Sequence, residues 1–536
     1  MNKKWSFLLI ILLCVMYSCQ DKEKADAIYT HGVVYTVDDS MEVVEAFAIR
    51  NGRFIAVGST KEIVSNYEAD TIIDLKGRPV YPGFIDPHCH FWGYGTVLQQ
   101  ADLTGIKTRE ELYKRLKEYS SQHPDLKWIT GRGWDNTMWE NTQMPDNSRL
   151  NRLFPETPVV LRRVDGHAIL ANQKAIVLAG AENMDGKVGP AGIFLDKDAG
   201  KILKAVPELN EQQKKQALLD AQDDCFAVGL TSVHDAGMDW HWVKRIQELH
   251  QQGQLKMRIY AMLNPTRENL KKMYEGPVKT DYLNVRSLKL YADGALGSRG
   301  AKLIEPYSDK PETNGLLLIN PDTMLEYCQL AYDLGFQVNT HAIGDSANRL
   351  VLDVYAKVLR ETNDFRWRIE HSQVVHPDDL EKFGHFSIIP SIQTTHATSD
   401  MDWAGERLGV ERLKHAYQYE KLLKQNGWLP NGSDFPVEDI NPLYGFYAAI
   451  SRKDKDGNPE NGFMDDQALS RKEALKAMTI WAAKAGFEES QKGSIQKGKM
   501  ADFVILEKDI MKIPVKETFS VNVIETYLNG EKVMKR

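Results

Sequence analysis

Cysteine is scarce: Cys14, Cys19, Cys89, Cys225 and Cys328 are the five in 536 residues. So few, so scattered, make no disulfide framework, and a large buried core has to hold the fold instead. Charge of one sign is scarce as well. The formal net charge is -7, and no lysine- and arginine-rich run is present to track a phosphate backbone, so nucleic acid is not an expected partner. Low-complexity segments and short-period repeats are missing too. What is present, 42% hydrophobic and 26% charged residues, is an ordinary globular composition in a chain long enough for more than one domain.

The one long apolar run opens the chain. Lys3 and Lys4 precede WSFLLIILLCVM, and charged residues follow Cys19. The run is too short to span a bilayer comfortably and reads as the hydrophobic region of an export signal. Met16-Tyr17-Ser18-Cys19 resembles a bacterial lipoprotein processing site, which makes residues 1–19 a signal peptide and Cys19 the lipidated first residue. An ordinary signal cut nearby is the alternative. The expected location is the cell envelope, in the periplasm or at the outer membrane, with membrane contact only through the lipid anchor.

Residues 26–82 and 488–536 are β-rich. Asn51-Gly52 and Asn529-Gly530 are hairpin-turn signals between apolar runs, and the two ends are expected to form one small β-sandwich domain. Over residues 83–487 the pattern changes to short apolar strands alternating with helices. FIDPHCH, LTSVHDAG, RIYAML, RSLKLYADG, FQVNTHAIGD, RIEHSQ, FSIIPSIQ and LPNGSDFP supply strands for an α/β fold, a (β/α)8 TIM-like barrel. Residues 100–219 are too many for one connection after the first barrel strand. Thr108 and Glu111 form a capping box there, and KWITGRGWD and TPVVLRRVDGH read as strands, which predicts a large insertion over the open end of the barrel.

In GFIDPHCH, His88 and His90 share one face of a strand and can reach one ion. In such a barrel the site lies at the carboxyl-terminal strand ends, where Lys289, His341, His371 and Asp434 also fall. Imidazole and carboxylate are the donors that zinc and similar divalent ions prefer.

This arrangement, with LKGRPVYPGFIDPHCH at the entry, GSIQKGKMADFVIL at the exit, VHDAG and LYADGALGSRG, resembles the amidohydrolase superfamily. VHDAG at His234, LYADGALGSRG from Leu290 and the large insertion resemble its third family, the branch with N-substituted formamide deformylases. The resemblance implies that His88, His90 and Asp434 bind one metal, that His341 and His371 bind another, and that an N6-carboxylated Lys289 bridges them. Two zinc ions are expected, with manganese or iron as alternatives. If Lys289 pairs with Asp293 instead, a single metal on the histidines and Asp434 is the expectation.

The chemistry implied is hydrolysis of a carbon–nitrogen bond in a small non-peptide amide: an N-acyl amine, an N-formyl amine or a cyclic amide. Asp434 would take a proton from the attacking water and return it to the leaving amine. His234 is expected to polarise the substrate carbonyl or bind a carboxylate, or else to hydrogen-bond behind the site. Trp134, Asp135 and His167 would line the pocket from the insertion, and Asp345 and Gln373 would orient the histidines. An esterase or lactonase on the same metals, and a surface-binding lipoprotein without catalysis, are the competing readings. A homo-oligomer is compatible with the sequence.

Overall fold

The computed structural model describes residues 22–140, 142–164, 168–182 and 191–535. Cys19 and His167 lie outside the described residues. Two compact units are present: Phe91–Gln222, and Asp223–Arg536 together with the chain up to His90.

The larger unit is built on seven parallel strands in chain order: β1 (Phe84–Cys89), β2 (Leu230–Met238), β3 (Arg258–Leu263), β4 (Leu283–Tyr291), β5 (Gln337–Ala342), β6 (Arg368–His371) and β7 (Ile389–Ser391). Each is followed or preceded by helices whose apolar faces cover the sheet. In Asp345–Leu359, for example, Ala347, Val351, Tyr355 and Val358 recur every three to four residues and are all buried. The chain also signals its own helix starts, as where Asn320 caps Pro321–Asp333 with Pro321 in the first turn.

The eighth strand expected at LPNGSDFP is not a regular strand. Residues 430–435 occupy its place, bonded on both sides: Ile392 N–H donates to Pro430 O (3.0 Å) and Gly432 N–H to Ile392 O (2.9 Å), while Asp434 N–H donates to His88 O (2.7 Å) and His90 N–H to Phe435 O (2.8 Å). The physical reason is local. Pro430 has no N–H to give a ladder, and Asp434 has a left-handed φ of 62°.

Two further sheets are present, and strands from both termini meet in the larger one. The four-stranded sheet joins Arg53–Gly58, Ala46–Arg50, Ala27–Thr30 and Thr71–Asp74; in the six-stranded sheet Val43–Val44, Val33–Tyr35 and Pro79–Pro82 form one half and Phe503–Leu506, Val523–Leu528 and Glu531–Lys535 the other, joined where Pro79–Pro82 pairs antiparallel with Phe503–Leu506. Their shared core contains Tyr29 and Phe47 from one sheet and Val80, Phe503 and Tyr527 from the other. Both hairpin turns have positive φ at both central residues, Asn51 and Gly52 at 51° and 72° and Asn529 and Gly530 at 50° and 73°, as a type I′ turn requires.

The unit Phe91–Gln222 has its own five-stranded sheet and its own core, including Leu103, Leu116, Trp134, Leu150 and Leu161. Thr108 caps the helix Arg109–Gln122, but Glu111 reaches Lys107 N–H rather than the cap residue's own, so the box closes one residue early.

The Arg258 guanidinium ties the barrel to the terminal sheets. It donates to both oxygens of Asp502 (2.7 and 2.9 Å), to Asn529 Oδ1 (2.6 Å) and to Asp281 O (2.6 Å), with both charged side chains buried. Removing one partner strands a buried charge, so Asp502→Ala is expected to lower stability by about 3–5 kcal/mol. Urea unfolding checks this; a loss below about 1 kcal/mol would show that the pair does not fasten these elements.

Candidate metal centre

β1 places Asp86 and His88 on one side by strand alternation, and His90 follows where the strand ends. His371 closes β6 with φ 74°, and Ser372 follows at φ 43°. This departure from extended geometry turns the His371 ring into the site although Glu370, its neighbour, also points inward. A non-glycine residue in the left-handed region costs about 1–3 kcal/mol, and His371 and Asp434 both adopt it.

Asp434 is held by Asp86. The buried Asp86 carboxylate accepts from Ser433 N–H (3.1 Å), Ser433 Oγ (2.6 Å) and His88 N–H (3.0 Å), which fastens the 430–435 segment to β1.

All six side chains expected to hold metal line one cavity of about 420 Å³. Donor atoms of His88, His371 and Asp434 lie within 4.8 Å of one another. His88 Nε2 and His90 Nε2 are 3.5 and 3.0 Å from Asp434 Oδ1. The His341 ring is 4.6 Å from that of His371, and Lys289 Nζ is 3.5 Å from His88 Nε2. Asp293 is not the partner of Lys289; it accepts three backbone N–H groups, from Lys302, Ile343 and Gly344.

The electrostatics suit a cation. Burial, then the Lys289 charge, pushes His88 down to about 4 and His341 to about 3, and burial with the His341 ring holds His371 well below the usual imidazole range. Neutral imidazole is the ligating form. Burial alone would raise the Asp434 carboxyl, but His90, His88 and His371 hold it well below its ordinary value. Burial lowers Lys289 to about 8, toward the amine. The inner nitrogens are already engaged: His88 Nδ1 with Glu370, and His371 Nδ1 with Gln393 Oε1 (2.7 Å). Their Nε2 atoms are left for an ion, and His341 Nε2 is buried with no hydrogen-bond partner among the described residues. The donor set fits a divalent metal.

The sequence model of the amidohydrolase family matches residues 71–534. The chain belongs to that family. It is 32% identical to Protein LONG AFTER FAR-RED 3 of Arabidopsis thaliana over 95% of this chain and 91% of that protein. It is 24% identical to the N-substituted formamide deformylase of Arthrobacter pascens over 94% of this chain and 97% of that enzyme. Among solved structures, an uncharacterized metal-dependent hydrolase from Pyrococcus horikoshii superposes with a TM-score of 0.79 at 29% identity, over 92% of this chain and 99% of that one.

Several expectations for this amidohydrolase need correction, while for His234 the structure fits the alternative of a hydrogen bond behind the site and not the substrate contact. His234 does not end β2 at the cavity; it lies mid-strand opposite Tyr260, fully buried, and accepts from Arg368 Nη1 (3.1 Å). Trp134 belongs to the insertion's own core, with its Nε1–H donating to Leu161 O (3.0 Å), and offers no surface to a ligand. Both are fully buried, with His234 Nδ1 engaged by Arg368 and Trp134 Nε1 by Leu161 O. Asp135 caps a single turn through Thr137 N–H. Asp345 accepts from Ile304 N–H, and Gln373 donates to Asp400 and Tyr417, so neither orients a histidine.

The residues that do orient them, Glu370 and Gln393, went unread. Glu370 adjoins His371 and would face away from it on a regular strand. Gln393 carried only the weak signal of a polar residue just past a strand. His396 was also missed: it follows β7 by one helical turn, lines the cavity, stacks on His371 (5.7 Å between rings), and lies 3.8 Å from Asp434 Oδ2.

Gly432 permits the close approach of the 430–435 segment, since a Cβ there would meet Asp86 Oδ1 at 2.7 Å and His88 N at 2.8 Å. Gly432→Ala is expected to cost about 1–3 kcal/mol through overpacking and to lose most of its metal. Urea unfolding and elemental analysis test this; a variant matching the parent in both would contradict the packing account.

Proposed function

We propose that this amidohydrolase hydrolyses the carbon–nitrogen bond of a small non-peptide amide: an N-acyl or N-formyl amine, or a cyclic amide. The observation that carries the reading is the meeting of His88, His90, Lys289, His341, His371 and Asp434 in one cavity. Family membership gives the hydrolytic class, and the likeness to a formamide deformylase supports the amide.

His88, His90 and Asp434 would hold one divalent ion and His341 and His371 a second, with Lys289 between them as a carboxylated amine. Zinc suits the set, and manganese or iron also match it. A metal in such a site lowers the pKa of water to about 7 and draws electrons from a carbonyl oxygen. Asp434 supplies the proton relay: a carboxylate held ionised accepts the proton of the attacking water and passes it to the nitrogen that leaves. Tyr291, Leu296, Ile343 and Trp403 give the cavity an apolar wall that takes the organic part of the substrate and keeps out bulk water.

Zinc-loaded protein screened against N-acylated amines, N-formylated amines and cyclic amides is expected to release free amine from at least one. Asp434→Asn should lower that turnover about 10²–10⁴-fold, the usual share of a positioned acid–base group, while zinc is largely retained. Hydrolysis of esters or lactones alone would move the enzyme to another class; full activity in the variant would refute the relay.

We infer from the amino-terminal segment that the chain is exported and lipidated on Cys19, which supports a cell-envelope location. In a bacterial host, labelled palmitate should enter the full chain and not Cys19→Ala; equal labelling of the two would rule out this site.

A further inference from the structure

Behind the cavity the barrel interior contains a line of polar side chains with no exposure at all: His88, Glu370, Arg368 and His234 are each 0% exposed. Arg368 and Glu370 are two apart on β6, so both project inward. Arg368 Nε donates to Glu370 Oε1 (2.6 Å), and its Nη2 lies 2.6 Å from the same oxygen. Nη2 also donates to Pro87 O (3.0 Å), and Nη1 donates to His234 Nδ1 (3.1 Å). The other carboxylate oxygen of Glu370 engages His88 Nδ1.

A buried ion pair is a poor way to add stability. Its desolvation cost often exceeds the attraction, and apolar replacements are frequently neutral. The geometry here does something else. A guanidinium is always charged and presents donors in a rigid fork. Two of its donors occupy Glu370 Oε1, which leaves Oε2 as the acceptor facing His88 Nδ1. His88 must therefore carry its proton on Nδ1 and present the Nε2 lone pair to the cavity. The same guanidinium also grips the carbonyl of Pro87, the residue before His88, so it fixes both the group that orients the ring and the backbone that carries it. His234 occupies the fork's remaining arm, with the Tyr260 ring 4.8 Å away.

We propose that Arg368 and His234 are positioning residues for the metal centre, acting through Glu370 to preset the orientation and tautomer of His88. The inference rests on the reading that His88 binds a metal. It makes His234 a determinant of metal affinity rather than a group that touches substrate.

The test is zinc affinity of the full-length protein, measured by competition with a chromophoric chelator, beside thermal unfolding of the metal-free form. Arg368→Met with Glu370→Leu removes the pair without stranding a charge; it should fold and bind zinc about 10–100-fold more weakly, as loss of a ligand's supporting hydrogen bond does. Arg368→Lys keeps the charge without the fork and is expected to fall between parent and double variant, with a shifted visible band in the cobalt(II) form. His234→Ala should also weaken zinc binding.

Parental zinc affinity in the folded double variant would overturn the proposal. Should the double variant not fold, unchanged zinc affinity and cobalt(II) spectrum in Arg368→Lys overturn it equally. Unchanged affinity in His234→Ala alone would strike His234 from the chain. A parent that binds no zinc, cobalt or manganese would instead defeat the metal-centre reading itself, and the proposal with it.

Discussion

The site depends on one buried carboxylate. Asp86 gathers the backbone of His88 and the backbone and hydroxyl of Ser433, and so joins the first barrel strand to a segment that cannot form a regular strand of its own. Burial pushes Asp86 up to about 7, and the donors from Ser433 and His88 oppose that rise. Pro430 removes an N–H, Gly432 allows close contact, and the left-handed backbone at Asp434 turns its carboxylate toward His88 and His90. Each of these is locally unfavourable or permissive. Together they are stable because the barrel closes only when the 430–435 segment is bonded to β7 on one side and β1 on the other.

The same economy of buried polar groups explains what could be read from the sequence. The seven regular strands, the insertion and both terminal hairpins were legible because apolar periodicity and Asn-Gly turns are local signals. The meeting of His88, His90, Lys289, His341, His371 and Asp434 in one cavity was legible because they fall at strand ends, where a barrel gathers them. The eighth position misled because its sequence, apolar then GSDF, looks like a strand although its bonding depends on Asp86, nearly 350 residues earlier in the chain. Glu370 was illegible for a related reason: strand alternation assigns it and His371 to opposite faces, and only the positive φ of His371 undoes that rule. His234 and Trp134 were misplaced because histidine and tryptophan suit a binding pocket and a satisfied interior equally well. Which one they occupy is decided by partners, Arg368 and Leu161 O, that no local pattern reveals.

The chemistry follows from how protons and lone pairs are distributed. Burial keeps His88, His341 and His371 neutral, Glu370 and Gln393 occupy the inner nitrogens of His88 and His371, and the Nε2 lone pairs of these two face the cavity. Asp434 lies beside His88 and His90 in that cavity, where the proposed function gives it both a cation and a proton to handle. The cavity's apolar wall is built by Tyr291, Leu296, Ile343 and Trp403, while the insertion's core residues serve their own unit.

The central claim is that His88, His371 and Asp434 grip a metal. Anomalous diffraction from zinc-soaked crystals at the zinc absorption edge tests it most directly. The account predicts a peak about 2.0–2.2 Å from His88 Nε2 and an Asp434 oxygen. A peak bound elsewhere, or none in this cavity at saturating zinc, would contradict it.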